Sequence, residues 1–340
     1  MTTTTVRIWV YDGVLASGVE SSIDIFSVAN TLIRESSASS DGRHKDFAWS
    51  VESLDGRSVR SASGRIVPVD RSIDGHAPTD AVLLAAPYVG DMKPFMERKG
   101  EIAALVDALR RQYARGAVVA SYCTGNYLLA EAGLLDARPA TTHWSKIQEF
   151  ARRYPSVQLR AQELIAEQDG IISGGSVTSY VNLALRLVAK FSGSAIADAT
   201  AKMMLIDTTR VSQASYVSLS PDDRHGDALV ARAQRRMEAM VQQTVQLAGL
   251  AADLSVSERT LHRRFKQALG MGPLDYLQTL RIELTKRLLE QSDMTIDQIC
   301  ARVGYADTSS FRILFRRKTG LSPREYQARF RGSVPGATGP

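Results

Sequence analysis

Two groups of residues in this 340-residue sequence could do chemistry, and they lie far apart in it. The first centres on a cysteine. In Ala120-Ser121-Tyr122-Cys123-Thr124-Gly125-Asn126 the thiol follows a short apolar run and precedes the helix-like Leu128, Leu129 and Ala130. A cysteine at a sharp strand-to-helix turn has the placement of a nucleophile elbow. The positive end of the helix dipole there is expected to favour the thiolate and lower its pKa. Twenty residues on, His143 supplies an imidazole that could approach it. The second group is cationic and polar: Arg259, His262, Arg263 and Lys266, then Thr308, Ser309, Arg312, Arg316, Arg317 and Lys318. Side chains of these types bond phosphates and base edges.

The elements that must position the cysteine alternate between strand and helix. Val6 to Tyr11 and Phe47 to Leu54 read as strands, and Ala81 to Ala85 and Ala117 to Ser121 as the short apolar runs of a buried parallel sheet. Glu101 to Ala114 has a helical face of Ile102, Leu105, Val106 and Leu109. Leu164 to Glu167, then Ile171 and Ile172, are strand-like, and a helix begins near Ser176. Loops that follow strands in such a sheet are where ligands sit. The candidates are Gly13 to Glu20, Ala86 to Gly90, and Cys123 to Gly125, with His143 adding a fourth side. Backbone amides after Cys123 could hold a carboxylate.

Charge separates this part from the rest. Leu229 to Arg331 holds 18 Lys+Arg and 10 Asp+Glu, whereas the remainder holds 24 and 26. A basic segment on a near-neutral body points to a polyanionic partner. No run of eighteen apolar residues predicts a membrane span, and the first residues lack a signal peptide's features. Two distant cysteines imply no disulfide framework, so a cytoplasmic location is expected. His44, His76, His225 and His262 show no metal-ligand spacing and read as surface or phosphate contacts; no metal or cofactor is expected.

The basic segment repeats itself at an offset of fifty. Leu250-Ala251 matches Cys300-Ala301, Ser257 matches Asp307, Leu261 and Phe265 match Phe311 and Phe315, and Gly270, Pro273 and Tyr276 match Gly320, Pro323 and Tyr326. In each copy a helix with an apolar face ends at a turn. A capping residue, Ser257 or Asp307, then starts a second helix whose outer face is basic and polar. That is a helix-turn-helix unit. A helix from Pro273 to about Gln291, with Leu277, Leu280, Leu284 and Leu288 for packing, is expected to hold the two units at a fixed separation. Cys300 reads as a small hydrophobe in the place of Leu250.

The run Gly304 to Phe311, then Phe315-Arg316, Gly320-Leu321-Ser322-Pro323 and Tyr326, resembles the C-terminal signature of the AraC/XylS transcription regulators. The resemblance implies that Arg259, His262, Arg263, Thr308, Ser309 and Arg312 lie near base edges, with Lys266, Arg316, Arg317 and Lys318 also at the DNA. It departs at Ile313, where that family usually has arginine: either the second unit reads bases less directly, or Ile313 packs on a thymine methyl. The cysteine segment resembles the PfpI-like, class I glutamine amidotransferase-like superfamily, and the two together resemble the GlxA-like regulators. Enzymes of that superfamily add an acidic residue after the first strand. Here the matching position is Gly18, with Glu20 able to substitute only after a local shift.

These readings give a two-domain fold: a flavodoxin-like α/β parallel-sheet domain (1–206), a linker (207–228), an all-α DNA-binding domain with two helix-turn-helix units (229–330) and a disordered tail (331–340). The expected function is sequence-specific regulation of transcription, as an activator of catabolic genes responding to a small amino acid, betaine or amine. The effector site would comprise Cys123, Thr124, Gly125, His143, Pro87, Gly18 and Glu20, with no catalytic residues. Double-stranded DNA, a second copy of the chain and RNA polymerase are the expected partners. Two other readings stay open at this level: a cysteine hydratase, amidase or deglycase tethered to DNA, and a helical module without a DNA role.

Overall fold

The structure, a computed structural model, describes residues 3–37, 45–208, 212–215, 225–243 and 246–331. His44, part of the expected linker and all but the first residue of the expected tail lie outside them. The chain divides into two compact units, Met1–Gln213 and Ala214–Pro340.

Among the described residues the first unit has eleven strands: β1 (Thr4–Trp9), β2 (Phe47–Ser53), β3 (Val59–Arg60), β4 (Ile66–Val67), β5 (Arg71–Ser72), β6 (Ala81–Leu84), β7 (Val118–Tyr122), β8 (Pro139–Ala140), β9 (Gln158–Leu159), β10 (Ile165–Gln168) and β11 (Ile171–Gly174). Seven of them form one sheet in the order β10-β11-β7-β6-β1-β2-β5. Every pairing in it is parallel except that of β10 with β11. In the interior, Ile8 pairs with Val51 on one side and Leu83 on the other. The reason is in the sequence: β6 and β7 are buried at every residue, so neither face can meet water. The helices described beside the sheet are α1 (Ala16–Ser37), α2 (Met92–Met96), α3 (Lys99–Ala114), α4 (Asn126–Glu131), α5 (Ile147–Arg153), α6 (Ser179–Ser192) and α7 (Ser194–Met203). Helices α1, α6 and α7 pack together, and α3 packs on α4 and β7. The five long-range parallel strands run 2-1-3-4-5 in chain order, a flavodoxin-like arrangement. The strand order therefore reverses between β1 and β6, beside the loops that follow them.

The second unit is helical: α8 (Ala228–Ala239), α9 (Leu247–Asp253), α10 (Glu258–Leu269), α11 (Pro273–Gln291), α12 (Ile296–Arg302), α13 (Thr308–Thr319) and α14 (Pro323–Phe330). It has two small cores. One gathers Val230, Ala233 and Met237 of α8 with Leu250, Leu261, Phe265, Tyr276 and Leu277; the other gathers Ile282, Leu289, Ile299, Phe311, Phe315 and Tyr326. Phe265 meets Tyr276 edge-on at 5.8 Å, and Phe315 meets Tyr326 edge-on at 5.6 Å, the same contact fifty residues apart. Helix α11 contributes to both cores. At 1.5 Å per residue it is about 28 Å long. Its fully buried apolar positions are Tyr276, Leu277, Ile282 and Leu289, with Leu280, Leu284 and Leu288 only partly covered. Of the expected leucine stripe, Leu277 is core and the other three pack along the flank of the helix. Arg281, Thr285 and Lys286 are buried on the same helix.

The repeat needs one correction. Helices α10 and α13, their capping glycines Gly270 and Gly320 (both left-handed) and the following prolines do stand fifty residues apart. The preceding helices, α9 and α12, stand forty-nine apart at both ends. Leu250 therefore corresponds to Ile299 and Ala251 to Cys300, as the matched backbone bonds from Val256 to Ala251 and from Tyr305 to Cys300 require. The turn of the second unit is one residue longer. Cys300, 1% exposed, fills a site made for alanine rather than leucine.

Candidate functional site: a cationic reading surface and a closed cysteine turn

Ser257 caps α10 by accepting from the Thr260 amide at 3.2 Å, and Asp307 caps α13 by accepting from Ser309 and Ser310 at 3.0 and 2.9 Å. Each cap fixes where its helix begins and hence which residues face outward. On α10 the buried residues Leu261, Phe265 and Leu269 leave Arg259, His262, Arg263 and Lys266 exposed. On α13 Phe311, Leu314, Phe315 and Thr319 are buried, and Ser309, Arg312, Arg316 and Arg317 are exposed. These eight residues form two polar faces with five arginines between them.

Four of the expected contacts sit differently from a simple outward reading. Lys318 is turned inward: its Nζ lies 3.9 Å from Asp275 Oδ1 and 3.5 Å from Thr279 Oγ1 of α11, so the expected outward orientation does not hold. Thr308, in the first turn of α13, is half-buried, with its hydroxyl near the Cys300 thiol. His262 is exposed but leans on the start of α11; a β-carbon on Gly272 would come within 3.0 Å of its Nε2. Arg312 reaches Asp297 at 4.0 Å, a loose pair that solvent screens.

Other residues position this surface and were not legible as functional. Asp227 caps α8 and also takes a two-pronged bond from Arg264 of α10, Nε at 2.5 Å and Nη2 at 2.8 Å. The Arg264 bond, joined by the amides of Val230 and Leu229, lowers the Asp227 pKa to about 2. His225 is no surface histidine: its Nδ1 accepts from the Asp227 amide and its Nε2 bonds to Gln234 Oε1 at 2.8 Å. Arg281, 8% exposed, donates to the carbonyls of Val241 and Gln243 at 3.1 and 2.5 Å and lies 5.0 Å over the Tyr305 ring. One side chain thereby joins the chain entering α9 to the turn before α13. Its presence within an apolar stripe was the one available signal.

In the first unit, Cys123 has φ 55°, the left-handed strain of an elbow, and heads a one-turn segment before α4. Loops from three strands close around it. The Leu15 amide donates to Ala86 O at 3.2 Å and Tyr88 to Gly13 O at 2.9 Å; Val14 and Pro87 form a bridge, and Thr124 Oγ1 donates to Pro87 O. Cys123, Thr124, Gly125, Pro87 and Gly18 are brought together and buried. Glu20 is exposed on α1, away from this packing. His143 does not complete a pair: no hydrogen bond joins it to Cys123, and its Nδ1 bonds to Ser145 Oγ at 2.8 Å. Burial lowers the His143 pKa, with Lys146 adding to the effect. The expected activated thiolate is overturned. Burial pushes the Cys123 pKa up to about 11, more than the Thr124 amide and hydroxyl pull it down. Desolvation outweighs the few amides of a short turn.

The space for an acidic residue is also taken. A β-carbon on Gly18 would lie 1.9 Å from the Tyr122 hydroxyl oxygen. That hydroxyl is buried without a hydrogen-bond partner; the Ala86 amide is near it but closes no bond of normal geometry. Instead of a catalytic acid, the turn has a polar brace on its other side. Thr142 Oγ1 donates to Cys123 O at 3.1 Å, and Gln213 Nε2 donates to Thr142 O at 3.1 Å and Ala161 O at 2.8 Å. Asn126 Nδ2 donates to Thr141 O and Gly174 O at 2.8 and 2.9 Å. Of the three tryptophans, Trp9 is core, Trp144 half-buried, and Trp49 lines a cavity of about 280 Å³ with Arg7, Arg71 and Thr79, apart from the cysteine turn.

A parallel α/β unit with a cysteine elbow, followed by two capped helix-turn-helix units, defines a DNA-binding regulator with an attached α/β domain. The pattern of the DJ-1/PfpI family matches residues 14–192, and that of a helix-turn-helix domain matches residues 250–329. The chain belongs to the DJ-1/PfpI family, in the branch that carries an AraC-type DNA-binding region, and it is a DNA-binding transcriptional regulator. It is 28% identical over 300 residues, 87% of each chain, to the HTH-type transcriptional regulator CdhR of Pseudomonas aeruginosa. It is 26% identical over 224 residues to the HTH-type transcriptional regulator GlxA of Rhizobium meliloti, covering 65% of this chain and 68% of that one. The crystal structure of a proposed transcriptional regulator from Vibrio parahaemolyticus has the fold of the first unit. It matches with a TM-score of 0.51 at 18% identity, over 60% of this chain and all of its own. Among the described residues no helix is long and apolar enough to cross a membrane.

Proposed function

We propose that this protein is an effector-responsive activator of catabolic genes, which binds a small metabolite in its first unit and reads an operator with its second. The observation that carries the reading is the pair of capped helices, α10 and α13, with cationic outer faces built on the shared helix α11. Arg259, His262 and Arg263 of one, and Thr308, Ser309 and Arg312 of the other, are assigned to base edges; Lys266, Arg316, Arg317 and, after release from Asp275, Lys318 to phosphates. The helices enter successive major grooves, about 34 Å apart along the duplex.

The effector is assigned to the loops at the strand-order reversal: Cys123, Thr124, Gly125, Pro87 and Gly18, with His143 at the side and Glu20 outside. Its class is an amino acid, betaine or related amine. Signalling runs through Gln213, the last residue of the first unit, which is two hydrogen bonds from the Cys123 carbonyl. The protein is taken to act in the cytoplasm as a dimer formed by the first unit, with RNA polymerase as its further partner. Catalysis is not part of the reading, because a protonated, buried thiol without an imidazole partner is a poor nucleophile.

The test is footprinting and titration of the full chain on genomic fragments, with and without a panel of amino acids, betaines and amines. Expected are two protected segments about one helical turn apart, affinity falling steeply with salt, and a change in affinity or transcription with one class of compound. Equal affinity for operator and random duplex would overturn the DNA assignment. An unchanged output with every compound would overturn the effector assignment. Turnover of an amide, nitrile or aldehyde that vanishes in Cys123→Ala would replace it with an enzyme.

A further inference from the structure

We propose that the two reading helices recognise different bases at one shared structural position, guanine through Arg263 and the methyl group of thymine through Ile313. The inference rests on the DNA-reading assignment above and deepens it. Helices α10 and α13 keep a strict fifty-residue correspondence from cap to closing glycine, which pairs Arg263 with Ile313. Each lies two residues beyond a buried core anchor, Leu261 or Phe311. At 100° per residue that is about 200° around the helix, the point furthest from the core. Both therefore occupy the outermost position of the surface presented to DNA.

At that position the two units differ completely. Arg263 is an exposed guanidinium able to bond guanine O6 and N7 together. Ile313 has no polar atom in its side chain and is 71% exposed. A single exposed apolar residue needs no explanation by itself. This one, however, is ringed by Ser309, Arg312, Arg316 and Arg317, all exposed and polar, and it is β-branched in mid-helix, where such residues lose rotamer freedom. Among base edges in the major groove, only thymine offers an apolar group, its C5 methyl. Burying Ile313 there removes apolar surface from water on both sides. No guanine or cytosine at that base pair gives the same gain.

The experiment uses the full chain and a duplex selected from a random pool by that chain. Each thymine of the half-site read by α13 is replaced in turn by deoxyuridine, which removes only the methyl group. One replacement is expected to weaken wild-type binding about threefold to fivefold, in line with roughly 0.8 kcal/mol per buried carbon group. Ile313→Ala should bind the thymine and uracil duplexes equally, and Ile313→Arg should shift selection towards guanine at that base pair. Preference at the base read by Arg263 should be unchanged in both variants. Wild-type indifference to uracil at every position, or retained discrimination in Ile313→Ala, would overturn the proposal while leaving DNA reading intact. Failure to select any duplex would overturn both. Ile313 makes no core contact, so circular dichroism of the variants should match wild type.

Discussion

Replacing Arg281 with leucine should loosen the second unit without touching the residues proposed to face DNA. The guanidinium makes bonds to two carbonyls, Val241 at 3.1 Å and Gln243 at 2.5 Å, and stacks 5.0 Å above Tyr305. Hydrogen bonds from a charged donor contribute about 1.5–3 kcal/mol each, and the carbonyls left unpaired add a desolvation cost. Against this, leucine no longer has to bury a charge. The net loss is expected to be about 2–4 kcal/mol, read as a lower urea midpoint for the helical transition of the full chain. Arg281→Lys, which keeps the charge but not the fork, should fall between. The same side chain spans the entry to α9 and the turn before α13, so its loss should also relax the spacing of the two reading helices. In wild type, one base pair inserted between half-sites should cost most of the specific affinity; in Arg281→Leu that penalty should shrink several-fold. A variant with wild-type stability and an unchanged spacing penalty would refute the idea that this side chain couples the units.

Around the cysteine turn, Tyr122→Phe removes a buried hydroxyl that has no partner and should be neutral or stabilising in thermal denaturation, whereas Gly18→Ala should cost about 1–3 kcal/mol by overpacking. Combining the two should recover part of that loss, and strict additivity would show that the hydroxyl is not what Gly18 makes room for. Cys123, with its pKa raised to about 11, should be protonated and slow to alkylate at pH 7–8, its rate climbing steadily towards pH 11. Because the folded pKa lies above that of a free thiol, the associated stability is intact below about pH 9 and is lost as pH rises through 11. Mass spectrometry of the alkylated peptide checks this; a plateau below pH 8 would contradict it. Asp227→Ala removes a helix cap and the anchor of Arg264 together, and should destabilise the second unit by about 1–3 kcal/mol in urea titration. The wild-type contribution should persist above about pH 4 and fade as pH drops towards 2, since the folded pKa of Asp227 is depressed to about 2.

What the sequence made legible was whatever repeats or alternates. Buried strands without polar interruption gave β6 and β7, and the paired Phe–Tyr contacts of the two cores follow from residues that match at fixed spacing. The alignment of α9 with α12 slipped by one because Leu250-Ala251 and Cys300-Ala301 are both apolar pairs; only backbone bonding separates forty-nine from fifty. The thiolate was misjudged for a different reason. Motif and helix direction are visible in Cys123-Thr124-Gly125, but the pKa depends on how completely the thiol is buried, and the loops that close over the turn, with Val14 and Pro87, follow other strands. Lys318 looked outward on a helical wheel and was claimed by Asp275 and Thr279 from another helix. Arg281 was hidden because an arginine in an apolar stripe usually reaches solvent.

The same enclosure bears on the proposed route of an effector signal out of the first unit. A buried thiol offers a ligand little, but its backbone carbonyl already accepts from Thr142, whose own carbonyl accepts from Gln213. The Gln213 amide nitrogen has two protons and three acceptors within reach: Ala161 O at 2.8 Å, Thr142 O at 3.1 Å and Thr141 Oγ1 at 3.3 Å. Its own carbonyl oxygen is buried with no partner. An amide with surplus acceptors on one side and an unmet acceptor on the other has no single satisfied arrangement. A small shift of Thr142 can therefore re-divide its bonds at little cost, as a buried network that is fully satisfied could not. Gly175 leaves room for this amide: a β-carbon there would sit 2.5 Å from the Gln213 nitrogen and 2.7 Å from Thr141 Oγ1 and would force them to shift. Gln213 is the last residue of the first unit, which is why the proposed signalling route is assigned to it. Gln213→Leu, apolar and of similar size, should leave DNA binding intact and abolish its dependence on effector, measured as operator affinity with and without the active compound. An undiminished response in that variant would rule this route out.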